Sequence, residues 1–482
     1  MGTAGTKYYY YVLAITKDGT ESEKSNIVSR TCDLAQPQIT VSNVEASGKI
    51  KIAWNAIEGA ESYEVWRATT EDGSYQRISS PSKTSLTNIS ITAGTTYYYK
   101  VKAISSNTDA NSAFSEIQSG TCTLAQPQIT VTTMESSGKI KITWDEIDDA
   151  EGYEVWRATS EEGPYQRISS PSKTSLTNTS TTAGTTYYYK VKAISSNADA
   201  NSAFSEPQSS TCILAQPTVT LSNVASSGKI KIAWDEIDGA ESYEVWRATT
   251  KNGTYKRIST TKKLSLTNTS TTAGNTYYYK VRALAADSTA NSAYSSIKSR
   301  VCDLAQVTIQ LSNRASDGAI TIQWEAVEGA SGYQVYRATS KSGSYTCLGT
   351  TSKTTYNNTS GTAGKTYYYK VRAICDNENA TGAFSEVKSR MRDLPQPEVS
   401  IALSSGKPKL SWDTVDGAVS YQVYRATSKT GSYTMILETT NCSYKNTSAA
   451  AGKTYYYKVI AVCQNKNGNS DHSEIVSITA TK

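Results

Sequence analysis

Apolar and polar residues alternate with a period of two over short stretches along the whole chain, which is the signature of half-buried strands. The stretch Lys49-Ile50-Lys51-Ile52-Ala53-Trp54 places Ile50, Ile52 and Trp54 on one face. Tyr63-Glu64-Val65-Trp66-Arg67 places Tyr63 and Val65 inward and Trp66 outward. Tyr97-Tyr98-Tyr99-Lys100-Val101-Lys102-Ala103 turns Tyr97, Tyr99, Val101 and Ala103 inward. Between these lie turn signals, among them Asp72-Gly73, a strong turn pair. The pattern predicts seven short strands: A over 38–41, B over 49–54, C over 63–67, C′ over 75–78, E near 85–89, F over 97–103 and G near 114–119. Pro37 opens strand A, a position that tolerates proline. Seven such strands make a two-sheet sandwich.

The pattern then returns. Trp54, Trp144, Trp234, Trp324 and Trp412 lie 90, 90, 90 and 88 residues apart. The triplet Tyr97-Tyr98-Tyr99 recurs at Tyr187, Tyr277, Tyr367 and Tyr455, and first occurs at Tyr8 with no Trp before it. Repetition at a fixed period is decisive for architecture. It divides the chain into five full modules, 34–123, 124–213, 214–303, 304–394 and 395–482, preceded by residues 1–33, which hold only the F and G part of another. That fragment is too small to bury a core, and unless it docks elsewhere the expectation is that the chain is cut from something longer. The joints are TCDLAQP, TCTLAQP, TCILAQP, VCDLAQV and MRDLPQP. They are too short and apolar for flexible linkers, so neighbouring modules are expected to abut.

Composition agrees with small modules rather than one large core. There are 34 Tyr but 3 Phe, 4 Met and 1 His, and hydrophobic residues make up 38%, below the usual globular share. The net charge of +6 is spread evenly over the repeats. This argues against nucleic acid as a partner, since nucleic-acid binders concentrate basic residues on one face. No run of 18 apolar residues is present, so no membrane insertion is expected within this chain. The N-terminus lacks the apolar core of a signal peptide, so targeting signals for an exported protein would lie outside this sequence.

Trp54 on strand B, Tyr63-x-Val65 on strand C and the run Gly94-Thr95-x-Tyr97-x-Tyr99-x-Val101-x-Ala103 entering strand F resemble a fibronectin type III domain. The wording over 59–69 and 73–78 is similar to the bacterial branch of that family. The likeness extends over essentially the whole chain. It implies an all-β fold: tandem immunoglobulin-like (fibronectin type III) β-sandwiches in an elongated array. It also implies a secreted or cell-surface, extracellular setting, with Tyr97 as a corner tyrosine whose hydroxyl bonds nearby backbone. No Arg-Gly-Asp tripeptide occurs, so integrin recognition by that motif is not carried over.

Catalytic chemistry has little to stand on. His472 is the sole histidine and lies between Asp471 and Ser473. Three consecutive loop residues do not form a Ser/His/Asp assembly, and a solvated loop histidine is expected. Acidic pairs such as Asp145-Glu146 and Asp148-Asp149 are replaced in other modules, which disfavours a calcium site. No catalytic residue, metal site or cofactor is assigned. Asn-x-Ser recurs at Asn88, Asn178, Asn268, Asn358 and Asn446; it is a glycan acceptor in a eukaryotic secreted protein, and turn chemistry beside strand E in a bacterial one. Cys32, Cys122, Cys212 and Cys302 share one joint position and are expected as small buried residues. The resemblance places the start of strand E and the end of strand F at one pole, which makes Cys442–Cys463 and Cys302–Cys375 candidate disulfides.

One surface feature invites a binding role. In the fold that the resemblance implies, Trp66 on strand C faces outward beside Tyr98 and Lys100 on strand F. The arrangement repeats as Trp156 with Tyr188, Trp246 with Tyr278, Tyr336 with Tyr368 and Tyr424 with Tyr456. Such a strip suits cell-wall or host glycans, or surface proteins, as partners. A structural alternative is Arg77 stacked on Trp66. Arg167 faces Trp156 and Arg257 faces Trp246, whereas Cys347 and Met435 stand opposite Tyr336 and Tyr424. The overall expectation is a non-catalytic extracellular spacer, monomeric along the array, with a multivalent glycan- or protein-binding adhesin as the alternative.

Overall fold

The structure is a computed structural model and describes residues 2–482. Its chain forms two compact units: residues 1–216 with 237–241 and 282–293, and residues 217–236 with 242–281 and 294–482. In the first unit, the run from Ile39 to Thr121 shows how the alternation folds. Strands A (Ile39–Val44), B (Lys49–Trp54) and E (Ser85–Asn88) form one antiparallel sheet. Strands C′ (Gln76–Ser79), C (Ser62–Ala68), F (Thr96–Ile104) and G (Gln118–Thr121) form the other, in that order. The same pair of sheets recurs four more times along the chain.

Register follows the period-two pattern. Ile50, Ile52, Val65, Tyr99, Val101 and Ala103 are fully buried, and Trp54, Tyr63 and Tyr97 nearly so. Each fully buried aliphatic side chain is worth about 1.5–3 kcal/mol, and a one-residue slip would expose the whole set. The ring of Trp54 packs on that of Tyr63 at 5.4 Å. Tyr97 turns the E–F corner, its hydroxyl accepting from Thr92 N at 3.2 Å. Arg67 lies over its ring at 4.9 Å.

Strand G begins later than the alternation predicts, at Gln118 rather than near Phe114. The reason is local. Val101 N donates to Ser115 Oγ at 3.0 Å and Ala103 N to Ser112 Oγ at 2.8 Å. Serine hydroxyls thus replace backbone carbonyls as partners of strand F, and the chain there bulges away from a regular ladder. A 3₁₀ turn at Thr108–Ala110, capped by Asn107, was not apparent from the periodicity.

Consecutive modules are joined through backbone. In the first unit Leu124 N donates to Ala200 O at 2.7 Å, and Gln126 N to Glu45 O at 2.8 Å. The linker therefore bonds forward to the 3₁₀ turn of the next module and backward to the A–B turn of the preceding one. Gly48 sits in that turn at φ +66°, and a Cβ there would lie 2.2 Å from Thr123 O. Asn197 Nδ2 adds a bond to Gly94 O at 3.1 Å. In the second unit Leu304 N donates to Ala380 O at 3.0 Å and Gln306 N to Ala225 O at 2.8 Å. Leu394 N donates to Gly468 O at 2.9 Å, and a Cβ on Gly318 would lie 2.0 Å from Asp393 O.

The candidate disulfides are not formed: Cys442, Cys463, Cys302 and Cys375 are all free. The sulfurs of Cys302, Cys375 and Cys463 are engaged elsewhere. Cys302 Sγ contacts Gly228 O at 3.4 Å and Thr271 Oγ1 at 3.3 Å. Cys375 Sγ donates to Asn377 O at 3.4 Å, and Cys463 Sγ packs against Gly364. Cys122, Cys212 and Cys302 are buried, and the Cys122 thiol donates to Gly48 O at 3.2 Å. Burial pushes that thiol above its ordinary value. Cys32 is less covered, because the short segment before it has no A–B turn.

Candidate functional site

Strands C and F place Trp66 and Lys100 directly opposite each other, and Ala68 opposite Tyr98. The outward parity therefore brings Trp66, Lys100 and Tyr98 to one face. Trp66 and Tyr98 are half-buried rather than open, as are Trp156, Tyr188, Trp246, Tyr278, Tyr336, Tyr368, Tyr424 and Tyr456. What covers them is the module itself. Phe114, from the bulge before strand G, meets Trp66 edge-on at 5.8 Å. Lys100 Nζ lies 4.5 Å from the Phe114 ring and 4.2 Å from that of Tyr75. Burial, aided by Glu71, Asp72 and Tyr98, pushes the Tyr75 phenol above its ordinary value. The cation that could hold a ligand is thus shared between two of the module's own rings.

The expected Arg–Trp stack is replaced by a carboxylate bridge. Trp66 and Arg77 are cross-strand partners, but Arg77 Nη1 bonds Glu64 Oε1 at 2.6 Å. Trp66 Nε1 donates to Glu64 Oε2 at 3.1 Å. One carboxylate, two residues before Trp66 on the same face, therefore holds both the indole and the guanidinium. A charge-assisted bond to a carboxylate is stronger than stacking on an exposed ring. Glu154 does the same for Trp156 and Arg167, and Glu244 for Trp246 and Arg257. In the fourth and fifth modules Gln334 and Gln422 stand in this column. Tyr336 and Tyr424 donate their hydroxyls to these amides at 3.5 and 2.9 Å.

The column of Phe114 explains the lone histidine. Phe204, Tyr294 and Phe384 pack against Trp156, Trp246 and Tyr336 as Phe114 does against Trp66. His472 takes that place in the last module, edge-on to Tyr424 at 5.0 Å. It is half-buried, not solvated, and its Nδ1 is buried without a hydrogen-bond partner. Burial, with Lys458 nearby, holds the imidazole below its ordinary value, against the opposing pull of Asp471. Sequence reasoning missed Phe114, Tyr75 and Glu64 as parts of this face. The signal was present: all three Phe of the chain fall in one column, and Glu becomes Gln in step with Trp becoming Tyr.

The asparagines beside strand E are buried, and three of them also close turns as expected: Ser180 N, Ser270 N and Ser360 N donate to Oδ1 of Asn178, Asn268 and Asn358 at 3.1, 3.1 and 3.2 Å. Asn88 is buried, and its Nδ2 donates to the Tyr99 hydroxyl at 3.0 Å. Asn178, Asn268, Asn358 and Asn446 bond Tyr189, Tyr279, Tyr369 and Tyr457 at 2.9, 2.9, 2.7 and 2.6 Å. The nitrogen that would carry a sugar is the one held inside the sandwich. Desolvation pushes the phenols of Tyr99, Tyr189 and Tyr279 up to about 12, although the asparagine bond pulls the other way.

Among the described residues no group of three or more His, Cys, Asp or Glu is arranged to hold a metal. No helix among them is long and apolar enough to cross a membrane.

Residues 39–113 match a family described as a PBP1-like, fibronectin3-like domain. Over 296 residues the chain is 28% identical to exoglucanase B of Cellulomonas fimi, spanning 54% of this chain and 25% of that protein. It is 37% identical over 89 residues to an amylopullulanase of Thermoanaerobacter thermohydrosulfuricus, 18% of this chain and 6% of that protein. It is 28% identical over 244 residues to fibronectin type III domain-containing protein 7 of Mus musculus, 50% of this chain and 31% of that protein. The chain spans less than a third of the length of each of these relatives.

Proposed function

We propose that this chain, a tandem array of fibronectin type III modules, is a non-catalytic extracellular spacer that holds other domains away from a bacterial envelope. The observation that carries the reading is the joint. Each linker between two full modules is bonded by backbone to the A–B turn behind it and to the 3₁₀ turn ahead, as Gln126 with Glu45 and Leu124 with Ala200 illustrate. Direct hydrogen bonds between neighbours resist bending in a way that a flexible linker cannot. The aromatic face supports the same reading, because Lys100 and Glu64 are already engaged within the module. Likeness to parts of proteins named exoglucanase and amylopullulanase is in keeping with a module that accompanies catalytic domains. The division into modules at 34, 124, 214, 304 and 395 belongs to this proposal.

The joint is the place to test it. Gly48→Ala inserts a Cβ where Thr123 O stands and should change the relative alignment of the first two modules, measured by residual dipolar couplings. Unchanged couplings would mean that the joint does not fix the modules.

The multivalent binding reading keeps one supporting observation: Trp66, Tyr98 and their equivalents retain part of their surface on one face of each module. Repeated weak sites could add by avidity. A glycan array probed with the intact chain and with the triple variant Trp66→Ala, Trp156→Ala and Trp246→Ala tests it. Binding that the triple variant leaves intact rules this face out.

A further inference from the structure

On the sheet that does not carry the aromatic strip, charge has one sign. Strands A, B and E of the five full modules contain no Asp or Glu. The central outward position of strand B is Lys51, Lys141, Lys231, Thr321 and Lys409 in turn. Lys51 stands between Ser42 on strand A and Thr87 on strand E. Lys141 stands between Thr132 and Thr177, and Lys231 between Ser222 and Thr267. Thr321 stands between Ser312 and Asn357. In these four modules the position therefore has uncharged neighbours on both sides.

The last module breaks the pattern. Strand A (Val399–Ser404), strand B (Lys407–Trp412) and strand E (Ser443–Lys445) form its sheet. Lys409 is the direct cross-strand partner of Lys445, and both side chains are exposed. Like charges directly opposite each other on one face destabilise a sheet. Among the described residues neither ammonium lies in a salt bridge. Lys407, the next outward residue of strand B, is already engaged, donating to Ala449 O at 2.5 Å. Hydroxyls flank the pair: Ser411 is the cross-strand partner of Ser443, and Ser400 Oγ meets Ser411 Oγ at 2.9 Å. The apolar residues between them, Leu410 and Trp412, are buried.

We propose that Lys409 and Lys445 bind an acidic polysaccharide, one that carries an anionic group on successive sugars. Anionic groups beside the two ammoniums remove the repulsion that the module otherwise bears, and charge-assisted bonds are the stronger kind. Neighbouring strands lie about 4.8 Å apart, close to the length of one sugar residue along a chain, so each lysine meets its own anionic group. The hydroxyls of Ser411 and Ser443 suit the sugar hydroxyls beside them. Nucleic acid fits less well, because strands A, B and E turn no aromatic ring outward for a base to stack on. The inference stands apart from the spacer reading and concerns a sheet face that reading does not use.

The test acetylates the lysines of the whole chain with and without polygalacturonate and reads the rate at each residue by mass spectrometry. At a polymer concentration about ten times Kd, the rates at Lys409 and Lys445 should fall about tenfold. That of Lys429, exposed in the C–C′ turn of the same module, should stay unchanged. The variant carrying Lys409→Thr and Lys445→Thr should bind immobilised polygalacturonate about tenfold more weakly. Thr321 and Thr87 occupy those two positions in other modules, so the fold accommodates both changes. Undiminished binding by the variant overturns the proposal. So does an unchanged rate at Lys409 and Lys445, or an equal slowing at Lys429. Equal protection of the pair by duplex DNA or by phosphatidylserine vesicles also overturns it, since the site would then select charge alone.

Discussion

Inside the first full module, the side-chain amide of Asn88 donates to the hydroxyl of Tyr99 at 3.0 Å. Tyr99 is fully buried and Asn88 nearly so. The pair satisfies a phenol that strand F carries into the core between the two sheets, and each of the five full modules contains one. Asn88→Ala leaves that hydroxyl without its partner, a loss of about 1–3 kcal/mol. Calorimetry of the whole chain should show one module melting earlier, and Tyr99→Phe should make the asparagine substitution less harmful. When the chain is secreted from a eukaryotic host, Asn88 should remain free of glycan; a sugar on Asn88 Nδ2 would contradict its burial.

The same tyrosines set an alkaline limit. An unfolded phenol titrates near 10, whereas Tyr99, Tyr189 and Tyr279 are pushed up to about 12 by burial. A raised folded value means that the contribution is complete below the unfolded value and is lost as pH rises through the folded one. Stability should therefore decline between those two values. Phenolate absorbance should show a late-titrating class that appears together with unfolding. Titration of all tyrosines near 10 with the fold intact would contradict this.

Glu64 carries Arg77 and Trp66 together, with side chains 21% and 54% exposed for the Glu64–Arg77 pair. Exposed pairs of this kind are worth less than about 1 kcal/mol. A double-mutant cycle with Glu64→Gln and Arg77→Met should return a coupling of that size. It should also move Trp66 fluorescence in the Glu64→Gln variant. If Arg77→Met is equally harmful with and without Glu64, the guanidinium acts on the indole face instead.

His472 makes the last module pH-sensitive. Its folded value is depressed, mainly by burial, so the stabilisation is present above the unfolded value near 6.5 and is lost as pH falls through the folded value. The module should weaken in mild acid. His472→Phe, which copies the residue found at Phe114, Phe204 and Phe384, should remove that dependence. Imidazole shifts followed by NMR give the titration directly, and a value at or above the ordinary one would contradict it.

Much of the fold was legible because period-two alternation and burial obey the same geometry. Ile50, Ile52, Trp54, Tyr63, Val65, Tyr97, Tyr99, Val101 and Ala103 all point inward as the pattern dictates. Side-chain partnerships were harder to read. Cross-strand parity correctly set Arg77 opposite Trp66, but parity cannot choose between an indole face and a carboxylate on the same face. The buried bond of Asn88 could not be read because its hydrogen-bond partner lies 11 positions away across the sandwich. The bulge that begins near Ser112 was hidden because a serine hydroxyl standing in for a carbonyl leaves no mark in hydropathy. His472 was misplaced for a related reason: its column is defined by Phe114, which sits just outside the regular strand.

The spacer account depends most directly on the extension of the whole chain in solution. Five modules of roughly 30–35 Å, set by strand length and rise, predict a maximum dimension of about 150–175 Å by small-angle X-ray scattering. A distance distribution with a long, low tail reaching that range would support the account. A symmetric distribution of a compact particle would contradict it.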